Sequence, residues 1–297
     1  MSKKKSTILG LLGILLVIIV AIACTKYSQH QKQLQEQKIS AMKKQSSKKV
    51  VAAAKASSIA KQKKENAKWK KYSTKISFPI LMYHSISNVS GNSLCVSPEK
   101  FKQEMQWLKK HGYYTLTAAE AYRVLTTNEK PAKKIVWVTL DDGYEDNYTA
   151  AYPILKKYKI KATINLITGQ IQNKQANKLT VAQLKEMKKS GLVSYGSHTV
   201  NHLDLSELTA TEQNYQIKNS KSWLDKTLDQ NTKYLCYPSG KYNSLTLTEA
   251  KKAGYTIATS TEEGLASSSN GLLELHRVRV SPNLSDTGFQ NLLEYGE

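Results

Sequence analysis

The run Ile135-Val-Trp-Val-Thr-Leu140 constrains the fold more than any other stretch of this chain, because it is apolar, rich in β-branched residues and unbroken. Such a segment offers no polar face to water, so it predicts a strand covered on both sides, as in a parallel sheet with helices outside. It runs directly into Asp141-Asp142-Gly143. The glycine permits a sharp turn, and the two carboxylates would stand at the C-terminal end of the strand, where α/β folds bind ligands. Neighbouring side chains on a strand point to opposite sides, so the two acids can do different work, one holding a metal and one facing a substrate. Taken alone, the tripeptide reads equally well as a polar turn, and partners elsewhere in the chain must decide.

The rest of the sequence repeats the pattern. Residues 79–84 read as a first strand ending in His84. Ser97-Pro98 is a helix start, an N-cap followed by proline at the first helical position, with Phe101, Met105 and Leu108 as its apolar stripe. A second helix follows Thr117, then the strand already described, then a helix over residues 148–158 that accommodates Pro153. Further strands are predicted over residues 162–167, 192–197, from 234 into the Pro238-Ser-Gly240 turn, a short stretch at 257–258, and 277–280. A helix capped by Thr180, helices over residues 209–228 and 244–254, and one starting near Ser285 fall between and after them. Alternation of this kind predicts an α/β fold built on a parallel sheet, with no separate second domain.

Charge divides the chain. Residues 1–76 hold eighteen lysines against Glu36 and Glu65, and so carry +16 of the net +21. A basic excess confined to an arm, with little aromatic interleaving, argues against nucleic acid as the partner. The arm begins with Lys3, Lys4 and Lys5 before an uncharged, mostly apolar run over residues 6–24. That run is just long enough to span a bilayer, and the preceding lysines orient its start to the cytoplasm. A cleavable signal and lipid attachment at Cys24 are the competing readings. The expected organisation is a basic start and transmembrane anchor over residues 1–25, a Lys/Gln-rich stalk over 26–77 and a catalytic domain over 78–297. The protein would thus be single-pass in the cell membrane with its catalytic domain outside. Cys95 and Cys236 are the only pair that could bridge in that domain, and free buried thiols are the simpler account.

A second constellation follows the strand ending at Ser197: His198-Thr-Val-Asn-His202. Imidazoles four residues apart can share one metal if a helical turn or a compact loop follows the strand end. With one carboxylate from the earlier strand end they make a two-histidine, one-carboxylate set. Such a set suits zinc or another first-row divalent ion and leaves positions open for water and substrate.

Thr139-Leu-Asp-Asp-Gly143, Ser197-His-Thr-Val-Asn-His202 and Tyr237-Pro-Ser-Gly240, in this order, resemble the polysaccharide deacetylases with a NodB-homology domain, carbohydrate esterase family 4. The resemblance covers residues 78–297 and implies a distorted (β/α) barrel. It makes Asp142, His198 and His202 the ligands of one divalent metal ion, zinc, with cobalt, nickel or manganese also suited. It makes Asp141 the general base and the N–H of Ser239 an oxyanion donor, and sets Tyr144, Tyr237 and Pro238 against the substrate. Many members have Arg-Pro-Pro-Tyr-Gly where this chain has Cys236-Tyr-Pro-Ser-Gly240, so the arginine that would orient the base is absent from that segment. The early Met82-Tyr-His84 looks like the branch acting on β-1,6-linked poly-N-acetylglucosamine, which makes His84 the general acid, with His276 as its rival. The implied activity is N-deacetylation of an extracellular N-acetylglucosamine polymer, an exopolysaccharide. Peptidoglycan deacetylation and a catalytically silent glycan-binding module are the alternatives.

Overall fold

The computed structural model describes residues 25–46 and 69–297. The chain divides into two compact units, Met1–Ala67 and Lys68–Glu297. In the first, residues 25–46 form one helix that is exposed throughout and carries charged side chains along its length. Among the described residues no helix is long and apolar enough to cross a membrane. The expected single-pass membrane location is therefore corrected: its apolar run, residues 6–24, lies outside the described residues, and the described helix is too charged for a bilayer. Residues 47–68 of the expected stalk also lie outside them.

The second unit is organised by seven parallel strands: β1 (Ile80–Tyr83), β2 (Ile135–Leu140), β3 (Ala162–Leu166), β4 (Val193–Ser197), β5 (Tyr234–Cys236), β6 (Ile257–Glu263) and β7 (Leu275–Arg279). Each strand pairs with its successor. β7 then returns to pair with β1, aligning Val278 with Leu81, and the sheet closes as a barrel. A short antiparallel pair joins Ser77–Phe78 to Ala266–Ser267.

Period-two alternation divides the side chains between two environments. Leu81, Val136, Val138, Leu140, Ile164 and Val278 face outward into one cluster with Phe101, Met105 and Leu108 of the helix Pro98–Lys110. Ile80, Trp137, Tyr234, Ile257 and Leu275 belong to a second cluster that fills the N-terminal half of the barrel interior. Two or four residues further along the same inward faces stand His84, Thr139, Asp141, Cys236, Thr259 and Arg277, so the interior turns polar toward the strands' C-terminal ends. The helices between strands start as their caps require. Ser97 Oγ accepts from Lys100 N–H at the head of Pro98–Lys110, and Thr117, Thr180 and Thr209 each complete a capping box. The expected helix over residues 148–158 is in two parts, a π-turn Asn147–Ala151 and an α-helix Tyr152–Tyr158 with Pro153 in its first turn.

Candidate functional site

β2 ends where its chain must turn sharply. Asp142 takes φ 72° and Gly143 φ 63°. A Cβ on Gly143 would stand 2.9 Å from Leu166 Cδ2, so the left-handed conformation and the close approach both call for glycine. A left-handed aspartate is strained, and its consequence is that Asp141 and Asp142 leave the strand end in different directions.

Asp141 is 1 % exposed and points inward among three side-chain partners. Arg277 Nη1 lies 2.8 Å from its Oδ2 and 3.0 Å from its Oδ1. Asn165 Nδ2 donates to Oδ1 at 2.7 Å, and the Cys236 thiol donates to Oδ2 at 3.6 Å. Burial by itself would raise the Asp141 carboxyl. The Arg277 guanidinium, His198, His84 and the Asn165 amide together outweigh it, Arg277 most of all, and the group is held well below the usual carboxylate range. Arg277 is fully buried and is itself aimed by a hydrogen bond from Nε to the Ser260 carbonyl at 2.8 Å. Gly196 in β4 makes room for this arrangement, since a Cβ there would fall 2.5 Å from both Asn165 Oδ1 and a Tyr234 ring carbon.

Asp142 faces the other way. Its Oδ1 lies 3.5 Å from His198 Nε2 and 3.6 Å from His202 Nε2, and these atoms form a group able to hold a metal ion. His198 is oriented by its Nδ1, 2.7 Å from the Cys236 carbonyl, which turns Nε2 toward Asp142. His202 is delivered by a compact loop, not a helix: Thr199 and His202 have positive φ, and Gln216 Oε1 accepts from the N–H groups of Val200 and Asn201. Asp142 Oδ1 is buried and has no hydrogen-bond partner. A buried, unpartnered carboxylate oxygen is costly, and one set between two imidazole nitrogens fits a cation ligand.

His84 follows β1, with Nε2 3.9 Å from Asp141 Oδ2. Burial holds its pKa below the ordinary value, against the pull of Asp141 and Asp142. Ser239, in the turn after β5, has φ 51°, within a segment whose Tyr237 hydroxyl is anchored on the Leu273 carbonyl. His84, Asp141, Asp142, His198, His202, Tyr237, Ser239 and Arg277 all line one cavity of about 220 Å³. Tyr144 and Pro238 are not among its lining residues. Tyr144 lines the neighbouring cavity, and its hydroxyl is pushed up to about 12 by burial and the Asp142 carboxylate. His276 lies on the opposite face of β7 from Arg277 and is not among the lining residues either. Among the described residues, Cys95 and Cys236 are free and buried.

Two residues of this site escape sequence reasoning. The arginine absent beside Cys236 is replaced from β7 by Arg277, and Asn165 completes the grip on Asp141 from β3. The available signal was alternation: in Leu275-His-Arg-Val-Arg-Val280 and Ala162-Thr-Ile-Asn-Leu166, Arg277 and Asn165 occupy positions that must face the barrel interior.

Residues 128–258 match the family model described as polysaccharide deacetylase. The chain is 45 % identical over 240 residues to the "putative polysaccharide deacetylase YxkH" of Bacillus subtilis, covering 81 % of this chain and 84 % of that protein. It is 32 % identical over 227 residues to the poly-beta-1,6-N-acetyl-D-glucosamine N-deacetylase of Staphylococcus aureus, covering 72 % and 76 %. Among solved structures, the Streptococcus pyogenes deacetylase PplD in complex with acetate superposes with a TM-score of 0.72 at 47 % identity, over 74 % of this chain and 100 % of that one. BC0361, a polysaccharide deacetylase from Bacillus cereus, gives 0.66 at 30 % identity, over 73 % and 69 %. A closed parallel barrel with paired aspartates and two histidines at its C-terminal mouth defines a deacetylase of the carbohydrate esterase 4 kind. The chain belongs to the polysaccharide deacetylase family.

Proposed function

We propose that the chain is a metal-dependent N-deacetylase of an N-acetylglucosamine polymer, acting on an exopolysaccharide with β-1,6 linkages. The observation that carries this reading is the buried, unpartnered Oδ1 of Asp142 between His198 Nε2 and His202 Nε2. One divalent ion, zinc or one of cobalt, nickel and manganese, would be held by these three residues, and when bound it would polarise the amide carbonyl and acidify water.

The remaining chemistry belongs to the chain's own side chains. Asp141, kept ionised by Arg277 and Asn165, takes a proton from the attacking water. The N–H of Ser239 donates to the carbonyl oxygen as negative charge grows there. His84 protonates the nitrogen that leaves, so that acetate departs and a free amine remains on the sugar. Its Nε2 stands close enough to Asp141 for a proton taken by the carboxylate to be passed on through a small movement. Tyr237 forms one wall of the cavity and is fixed from behind by the Leu273 carbonyl. Tyr144 stands at the next cavity along, where a neighbouring sugar of the polymer would lie. The β-1,6 preference is supported by Met82-Tyr-His84 and by the Staphylococcus aureus relative.

The test is acetate release from β-1,6 oligomers, β-1,4 oligomers and peptidoglycan, compared side by side. Release that is fastest on the β-1,6 substrate, is stopped by a chelator and falls about 10²–10⁴-fold in Asp141→Asn is expected. Metal-loaded protein that yields no acetate from any of the three would sink the reading in favour of glycan binding alone.

A further inference from the structure

The turn that opens with Asp141 and Asp142 has a second end, which the chemistry above leaves unused. Asn147 is fully buried. Its Nδ2 donates to the main-chain carbonyl of His84 at 2.9 Å and to Asp146 Oδ1 at 3.0 Å. Both partners are acceptors only, which requires the amide nitrogen and not its oxygen at that place. Asp146 in turn accepts from Ile86 N–H at 3.0 Å and from the Ser85 hydroxyl at 2.5 Å. Residues 84, 85 and 86, leaving β1, are therefore held by residues 146 and 147, leaving β2.

The His84 imidazole has no comparable tether. Its nearest charged neighbour, Asp141 Oδ2, is 3.9 Å away, beyond hydrogen-bond range. Where that ring sits against Asp141 thus depends on where the main chain of residue 84 is fixed. Asp141, by contrast, is gripped by Arg277 and Asn165, whose other side-chain hydrogen bonds go to Ser260, Thr139 and Tyr234 and not to the 84–86 segment.

We propose that Asn147, supported by Asp146, is a positioning residue that binds the main chain of His84 to the turn carrying Asp141, so that acid and base keep one separation. The inference rests on the reading of His84 as the acid. Loosening the clamp moves His84 alone and leaves Asp141 and the cluster of Asp142, His198 and His202 in place. Proton transfer falls steeply with misplacement, by about 10²-fold for an ångström.

A double-mutant cycle on the full chain tests it, reading kcat and KM for acetate release from β-1,6 oligomers. Asn147→Asp is nearly isosteric but sets an acceptor against two acceptors. It should lower kcat by about 10–100-fold with KM within about twofold of the parent. In a His84→Asn background the same change should add almost nothing, because the residue through which it acts is gone. Asn147→Ser, neutral and smaller, is taken through the same cycle, so that an Asn147→Asp protein that does not fold leaves the question decidable. Equal losses in both backgrounds, or an unchanged kcat in a folded Asn147 variant, overturn the clamp while leaving His84 as the acid. A His84→Asn protein with full kcat overturns the acid assignment and the clamp with it.

Discussion

The two halves of the barrel interior are built from the same strands and do opposite things. In the N-terminal half, the Trp137 and Tyr234 rings meet at a tilt of 55°, 4.6 Å between centroids, among Ile80, Ile257 and Leu275, and the Trp137 indole N–H is satisfied by Thr163 Oγ1 at 2.8 Å. In the C-terminal half, one or two inward positions further on, a carboxylate, a guanidinium and two imidazoles are buried within a few ångströms of one another. The first half lowers free energy by removing apolar surface from water. The second keeps charges in a low-dielectric setting where each must be matched by another. Substitutions in the lower half should therefore be felt in stability, and those in the upper half in chemistry, except where an upper residue neutralises a buried charge.

Arg277 is that exception and should give the largest effect. Arg277→Met leaves the Asp141 carboxylate buried without its cation, which should cost about 3–5 kcal/mol of stability as well as most activity. The pH dependence gives the sign. Asp141 is depressed in the folded protein, so its contribution is present above the unfolded carboxylate pKa, about 4, and is lost as pH falls through and below that range. Thermal melting of the parent should thus weaken on acidification below about pH 4, and the variant should show less of that acid-side loss. A variant that melts like the parent at pH 7 would break the comparison.

Trp137→Ala should come next, at about 3–5 kcal/mol, while kcat per folded molecule changes by less than about twofold. A large fall in kcat at an unchanged melting temperature would show that the lower half is not simply a support. Metal removal separates the halves differently. If Asp142, His198 and His202 hold an ion, a chelator should lower the melting temperature of the parent but not that of Asp142→Ala, as expected for a ligand that binds only the folded state. Equal responses in the two proteins would count against that ligand set.

The smallest effect lies outside the barrel. Glu104, buried on the helix Pro98–Lys110, accepts from the Tyr83 hydroxyl at 2.8 Å, and burial raises its carboxyl to about 7. The folded state then binds more protons than the unfolded one between the two pKa values, so stability falls as pH rises from about 4.5 to about 7. Glu104→Gln should flatten that slope and raise the melting temperature at pH 8 by a few degrees. A slope unchanged by the substitution would assign it to another group.

Much of this architecture was legible because it is local. The N-caps at Ser97, Thr117, Thr180 and Thr209 lie within three residues of what they cap, and the apolar run of β2 announces its own burial. The facing of the twin aspartates and the histidine pair could be read from strand ends and spacing. The partners of Asp141 could not, because Asn165 is 24 residues away and Arg277 is 136. Alternation tells which side of the sheet each residue faces, but not which partner it meets there, and only closure of the barrel brings Arg277 within reach of Asp141. Tyr144 and Pro238 were set against the substrate by resemblance alone, and the path of the chain after each turn takes them off the wall of the Asp141 cavity.

The ion pair of Asp141 with Arg277 has a consequence for how the protein is made. Its two halves lie on β2 and β7, and β7 also supplies the seam that closes the sheet onto β1. During synthesis the Asp141 carboxylate lacks its guanidinium until the last strand has left the ribosome, so burying it in a partial barrel would cost more than burying it in the closed one. Folding must wait on this high-contact-order closure, and a chain cut short before β7 presents an open sheet with exposed edges to any protease or chaperone that meets it.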